Sequence, residues 1–372
     1  MMSERQTTIL GFLTLIAVLA AIWVLFGETA PHEVGQRNAP LYPDLARQIN
    51  EVQRITIASD LNTTTLTRKD GVWVIAEKGG YPADAKQVGQ LFGALIDARI
   101  VRETTRNPDL YERIGLGDKA VRLSLYGNGE KPLLTLHVGD RSYRDRRFET
   151  YVRRDDEAVT YVVADLPEVR AEASTWLPPT LLDIAQNRVA RIRITHPDGE
   201  DFLISRPAPD ADFTLAGLKE SERLKGFRPL DPIAMVFTTM GLRDVRPAAE
   251  IAGHDRLAAV HMETFDGLAI DLDLVKTGDE TGDAWATLKA AYTPPEGADE
   301  GPKVMPDAPE DGAAEADAIN ARTSGWAFRL PSSSVISLAR HRADLVEDKP
   351  AADAAEGDAD RDADGKSDAG GS

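Results

Sequence analysis

The chain has 372 residues, with 43 Lys+Arg against 61 Asp+Glu, a formal net charge of −18, and no cysteine. Absent cysteine excludes disulfide frameworks, thiolate metal sites and cysteine nucleophiles, and the acidic balance argues against nucleic acid as a general partner. The length, with 42% apolar residues, supports two or three domains with real cores.

Between Arg5 and Glu28 lie 22 residues without a charge, and Thr8–Phe26 reads TILGFLTLIAVLAAIWVLF. At about 1.5 Å rise per residue this run reaches roughly 28 Å, close to the hydrocarbon thickness of a bilayer. It is longer than the apolar stretch of a cleaved leader, and the nearest small-residue stop, Ala30, is followed by Pro31. Residues 1–27 are therefore read as an uncleaved transmembrane helix, with Trp23 and Phe26 at the interface. Arg5 precedes the span while Glu28 and Glu33 follow it, which places the short N-terminus inside and the bulk of the chain outside.

Residues 28–45 read as a Pro-rich stalk. At the far end, 347–372 holds nine acids against three bases, and a second stretch, 293–318, holds eight acids and one lysine. Both lack the apolar groups that offset ordering entropy and are expected to be disordered. They carry −13 of the −18, so the acidity belongs to these segments and not to a folded surface.

The remainder repeats. Arg54-Ile55-Thr56-Ile57 returns as Arg191-Ile192-Arg193-Ile194, each alternating as a half-buried strand does. Further strands follow at 64–67 and 72–75, and at 202–205 and 213–215, with Trp73 and Phe213 in matching places. A helix comes next in each copy: Val88, Leu91, Phe92 and Leu95 share their spacing with Ile233, Val236, Phe237 and Met240. Asp84 with Gln87, and Asp231 with Pro232, supply helix-start signals. Val121, Leu123 and Leu125 then lead through Asn128-Gly129 to Leu134, Leu136 and Val138. Val260, Met262 and Thr264 lead through Asp266-Gly267 to Leu268, Ile270 and Leu272, both pairs of runs reading as hairpins. A last hairpin closes each copy, the second one carrying the acidic insert as its loop. The fold class is α+β: two tandem repeats, 46–185 and 186–346, each a mainly antiparallel sheet with a packed helix.

The segment from Leu41-Tyr42-Pro43-Asp44-Leu45 to Ile55, with Trp73-Val74-Ile75-Ala76-Glu77-Lys78-Gly79-Gly80-Tyr81-Pro82-Ala83-Asp84, resembles the bacterial domain-of-unknown-function family 4340. Gly115-Leu116, Tyr151-Val152-Arg153-Arg154, Trp176-Leu177 and Leu181-Leu182-Asp183-Ile184 fit the same pattern, and the resemblance spans about 41–346. It implies no activity or catalytic motif. What it implies is company: a partner of gliding-motility-type ABC exporters, beside an ATPase, a permease and an extracytoplasmic auxiliary subunit. The location that follows is the bacterial cytoplasmic (inner) membrane, single-pass, with the bulk periplasmic. The chain departs from the pattern in its Arg/Asp/Glu-rich run between Gly139 and Tyr151 and in its acidic stretches.

A search for chemistry finds no Gly-x-Ser-x-Gly, P-loop or His-Glu-x-x-His motif. Gly115-Leu116-Gly117 opens no phosphate-binding helix. His137 and His261 read as surface histidines on strands, and His32, His196, His254 and His341 lack a second ligand at metal spacing. Carboxylates are too many for any pair to be singled out. Asp360-x-Asp362-x-Asp364-Gly365 has calcium-loop spacing, but position 12 is Gly371. No catalytic, cofactor or metal residue is assigned. One cluster stands out: Arg141, Arg144, Arg146, Arg147, Arg153 and Arg154, six arginines within fourteen residues, whose guanidinium forks suit an anion or an acidic partner. Interleaved acids make a self-paired solvated loop the competing reading. The expected function is a noncatalytic, membrane-anchored accessory or scaffold subunit contacting other envelope proteins. The alternatives are a ligand-binding module for an envelope polymer or small molecule using the cleft between repeats, and a periplasmic hydrolase.

Overall fold

The computed structural model describes residues 37–144, 146–278, 284–295 and 307–349. The expected anchor at 8–26, the first half of the stalk, the middle of the acidic insert and the tail from 350 onward lie outside them. No helix among the described residues is long and apolar enough to cross a membrane. The chain divides into two compact units, 1–77 with 85–176, and 78–84 with 177–372. The break therefore falls after Trp176 and not at 185/186, and a seven-residue segment, 78–84, groups with the second unit.

The first unit is built on strands β1 (Arg54–Ala58), β2 (Thr63–Lys69), β3 (Val72–Ile75), β4 (Ile100–Glu103), β5 (Val121–Tyr126), β6 (Pro132–Arg144), β7 (Arg147–Arg154) and β8 (Thr160–Ala164), with helix α1 at Ala85–Asp97. They lie in the order β3-β2-β1-β5-β6-β7-β8-β4. Every described pairing is antiparallel. Strand alternation turns Ile55, Ile57, Leu66, Leu123, Leu125 and Leu136 inward, where they are buried with Val88, Leu91 and Leu95 of α1. Phe92 is only half-buried and meets Trp73 edge to face, ring centroids 5.8 Å apart. Asp70-Gly71 joins β2 to β3 with φ of +49° and +84°, the primed-turn conformation that suits a twisted hairpin.

The second unit repeats the pattern with β9 (Val189–Thr195), β10 (Asp201–Ser205), β11 (Thr214–Leu215), α2 (Asp231–Thr238), β12 (Asp244–Pro247), β13 (Asp255–Thr264), β14 (Leu268–Lys276), β15 (Ala284–Tyr292), α3 (Gly312–Thr323) and β16 (Trp326–Arg329). Their order, β11-β10-β9-β13-β14-β15-β16-β12, is that of the first unit with each label advanced by eight. Tyr81 packs against Trp326 and Phe328 of β16, at 5.1 and 5.8 Å between ring centroids. Lys78 pairs with Asp244 of β12 at 2.5 Å.

Several local expectations change. Asn128-Gly129 sits in a five-residue connection, 127–131, because β5 and β6 shift register at Leu125/Tyr126. Met240 is not part of α2. The helix stops at Thr238, and Met240–Gly241 forms a small ladder with Thr180–Leu182. Asp231 does not cap α2, since its carboxylate pairs with Arg228 at 2.6 Å. The stalk ends early: Leu41 and Leu45, the latter opening a short helix, are buried, and Leu41 N–H donates to Ala98 O. The acidic insert is helical over 312–323, because Asp311 caps Ala314 N–H and Ala316 and Ile319 find burial. The tail starts after Lys349, since Val346–Asp348 pairs with Glu222–Leu224 and Arg223 holds Glu347 at 2.9 Å.

Candidate functional site

The six arginines separate into two groups. Arg153 and Arg154, at the foot of β7, are consumed by the body of the first unit. Arg153 donates to Glu157 O and lies 5.5 Å from the Tyr111 ring. Arg154 donates to Leu41 O at 3.0 Å and to the Tyr161 hydroxyl, and pairs with Glu157 at 2.5 Å. Burial pulls the Arg154 guanidinium down, but Glu157 and Tyr161 overcome it and hold its pKa above the ordinary value. These two are structural.

The other four occupy an arm. β6 and β7 run on together past the register shift between Val138 and Arg141, with Tyr143 opposite Phe148 and Arg144 opposite Arg147. β5 pairs no farther along β6 than Val138, and β8 reaches only Glu149 of β7. Arg141, Ser142, Tyr143, Arg144, Arg146, Arg147 and Phe148 are all exposed. Tyr143 is 65% and Phe148 42% accessible. A two-stranded ribbon has little stability of its own, and this one is stiffened by its side chains. Tyr143 and Phe148 meet edge to face at 5.0 Å, and the Arg141 guanidinium stacks 3.7 Å over the Phe148 ring.

Cross-strand partners share a face, so Arg141, Tyr143, Phe148 and Thr150 lie on one side of the ribbon. Ser142, Arg144, Arg147 and Glu149 lie on the other. Glu149, buried, is spent on Arg102 at 2.9 Å and does not neutralise the tip. Among the described residues, Arg144, Arg146 and Arg147 form no ion pair. Arg146 turns the chain at φ +64°, a conformation that costs a non-glycine residue energy.

The arm's root is fixed by two glycines. Gly115 closes the 3₁₀ turn Pro108–Ile114 in the left-handed conformation, and a Cβ there would sit 2.6 Å from Asp140 N. A Cβ on Gly139 would collide with Ile114 O. Gly115 thus serves close packing of backbone at the point where the arm leaves the sheet.

Two further places in the second unit carry concentrated polar groups. His196, buried, stacks on His341 with centroids 4.1 Å apart and planes 17° apart, and Glu200 completes the cluster. Sequence separation hides this meeting, since His196 and His341 belong to opposite ends of the unit. The atoms are already committed. His196 Nδ1 faces Leu257 O and Nε2 faces Arg340 O. Glu200 accepts from His341 Nδ1 at 2.5 Å and from Arg342 N–H. The three residues bring candidate ligand atoms within 4.8 Å of one another, but with both His196 nitrogens on carbonyl oxygens and the rings face to face, the cluster is spent on clamping the C-terminal segment.

A groove of about 910 Å³ is lined by Arg191, Ser205, Arg206, Glu263, Phe265 and Gly267, among others. Its cations are engaged too: Arg191 pairs with Glu263 at 3.0 Å, and Arg206 donates to Val189 O and Gln186 O while stacking on Phe213. His137 and His261 lie on polar strand faces as expected, with Asp155 at 2.7 Å and Asp271 at 2.6 Å as their partners. The His137 hydrogen bond holds the Asp155 carboxyl below its ordinary pKa.

Residues 73–229 match the family model described as "Domain of unknown function (DUF4340)". The match runs from β3 of the first unit to the loop before α2 of the second. No curated protein and no solved structure matches the chain.

Proposed function

We propose that this chain is a noncatalytic accessory subunit, anchored in the bacterial cytoplasmic membrane by Thr8–Phe26 and working outside it. Its two α+β units act as a scaffold beside other envelope proteins, with an ABC-type export complex as the implied setting. The family match over 73–229 is to a domain of unknown function and agrees with the resemblance from which that setting is drawn.

The observation that carries the reading is the arm. Most of the long polar side chains described above are spent inside their own unit, on carbonyls or carboxylates. The arm holds Arg144, Arg146 and Arg147 out from a sheet with no ion pair among the described residues, beside two exposed aromatic rings that pack on each other and on Arg141. Such a group is costly to leave idle on a ribbon and is suited to docking.

The test is crosslinking of the full-length chain in intact membranes, followed by purification through a C-terminal tag. A defined envelope protein should accompany it in fixed proportion. A chain that purifies alone, or one that turns over an envelope substrate and loses turnover on changing one carboxylate, rejects the reading.

A further inference from the structure

We propose that the arm at 140–148 is a membrane-docking element: its arginines take the phosphates of an anionic phospholipid surface, and Tyr143 and Phe148 settle at the level of the headgroups. This rests on the reading of the arm as the docking element and names its partner.

The chemistry of the tip is that of the lipid–water boundary. Tyrosine and phenylalanine carry a flat apolar body, and the tyrosine adds a polar edge, which favours the interfacial layer. Arginine forks match phosphate oxygens two at a time. The dimensions agree. From Arg141 to Arg144 the ribbon advances about 10 Å, the depth over which an interfacial element sits among headgroups and upper acyl chains. Arg144 and Arg147, on the face opposite the rings, are long enough to keep their charges at the phosphates while the rings go deeper.

Charge complementarity points the same way. Residues 140–148 hold four arginines and two acids, Asp140 and Asp145, a net of +2. Each basic side chain near an anionic surface is worth about fivefold in binding, so the net of two positive charges supplies on the order of 25-fold. An acidic protein would need a fixed counter-surface for each guanidinium. A fluid layer of phosphates adapts to a narrow ribbon whose arginines point to both sides.

Geometry brings the surface within reach. From Phe26, the end of the expected span, to Leu41, the first buried residue, there are fifteen residues, a tether of at most ~50 Å. Leu41 O accepts from Arg154 at the foot of β7, and the tip lies about 23 Å along that strand. The tether lets the arm reach the membrane that holds the chain.

The test uses the full chain in vesicles. It has no cysteine, so Ser142→Cys gives one labelling position at the tip for a fluorophore read by nitroxide-lipid quenching. Vesicles of phosphatidylcholine alone are compared with an equimolar mixture of phosphatidylcholine and phosphatidylglycerol. Severalfold stronger quenching in the anionic mixture, abolished at molar salt, is the expected result. Arg144→Ser with Arg147→Ser should cut the docked-to-free ratio about 25-fold, and an unchanged thermal midpoint verifies that the fold is intact. If that variant misfolds, the salt dependence of the parent chain decides. Equal quenching in both vesicles reflects the tether alone and overturns the proposal, as does no quenching, or a tip shielded by a co-purified protein. Failure here with envelope-protein capture intact leaves the accessory reading standing, and docking without capture does the reverse.

Discussion

Arg188 donates to both carboxylate oxygens of Glu315, at 2.9 and 2.7 Å, tying the residue before β9 to the helix inside the acidic insert. Asp266, in the β13–β14 turn, accepts from Nε at 3.2 Å and from Nη2 at 2.7 Å. Arg188 is only 2% accessible. Burial works against its charge, and the hydrogen bonds it donates to Glu315 and Asp266 overcome that and raise its pKa above the ordinary value. A charge so enclosed is tolerated because each of its three nitrogens donates to a carboxylate.

Glu315→Gln should therefore destabilise the second unit by about 2–3 kcal/mol, since hydrogen bonds to charged groups contribute that much and Asp266 remains as a partial counter-ion. Denaturant midpoints of the full chain measure it. A loss near zero would mean that Asp266 alone satisfies Arg188.

Gly139→Ala should cost about 1–3 kcal/mol, the usual price of forcing an atom into occupied space. The added methyl meets Ile114 O and the Leu116 side chain, so backbone must move at the arm's root. Thermal unfolding gives the magnitude, and amide exchange should rise first in β6 and β7. A neutral effect would contradict the close approach.

His261 provides a pH test. Burial lowers its pKa, but hydrogen bonds to Asp271 and Glu263 outweigh this and leave it raised. A raised folded value means that the added stability is complete below the unfolded pKa and is lost as pH rises through the folded one. With the side chain 41% accessible, the effect stays below about 1 kcal/mol after solvent screening. His261→Gln should flatten that part of the stability–pH curve, and imidazole NMR titration should place the parent's pKa above that of a free histidine.

Ending the chain after Lys349 should leave stability within about 0.5 kcal/mol. Ending it after Leu345 removes the pairing of Val346–Asp348 with Glu222–Leu224 and the Arg223–Glu347 contact, and should cost about 1 kcal/mol more. Equal midpoints for the two truncations would show that this ladder contributes nothing.

Alternation made most of the sheet legible. Leu123 and Leu125, or Ile192 and Ile194, face a core on one side only, and a period of two records that directly. Met240 misled because its spacing from Ile233 fits a helix as well as a strand beyond one. Helix α3 was masked by its acids. What orders it is a capping aspartate and two buried apolar residues, a signal far weaker than the charge around it. The arginine cluster was visible, but its division was not. Whether an arginine on β7 is consumed or free depends on how far β5 and β8 extend beside the hairpin, and that is a property of register. The stacking of His196 on His341 depends on packing across most of a unit and leaves no local trace.

The place of β4 and β12 in the chain has a consequence for how the molecule is made. Ile100 waits for Val163, and Asp244 waits for Arg329. Contacts so far apart form slowly, and an unpaired edge offers itself to the wrong strand in the meantime. As the chain emerges from its N-terminus, the first unit can finish once Trp176 is clear. The second stays open through the whole acidic insert. The stretch richest in repelling charge is thus delivered while β12 is still unpaired, where like-charged neighbouring chains are kept from annealing to it.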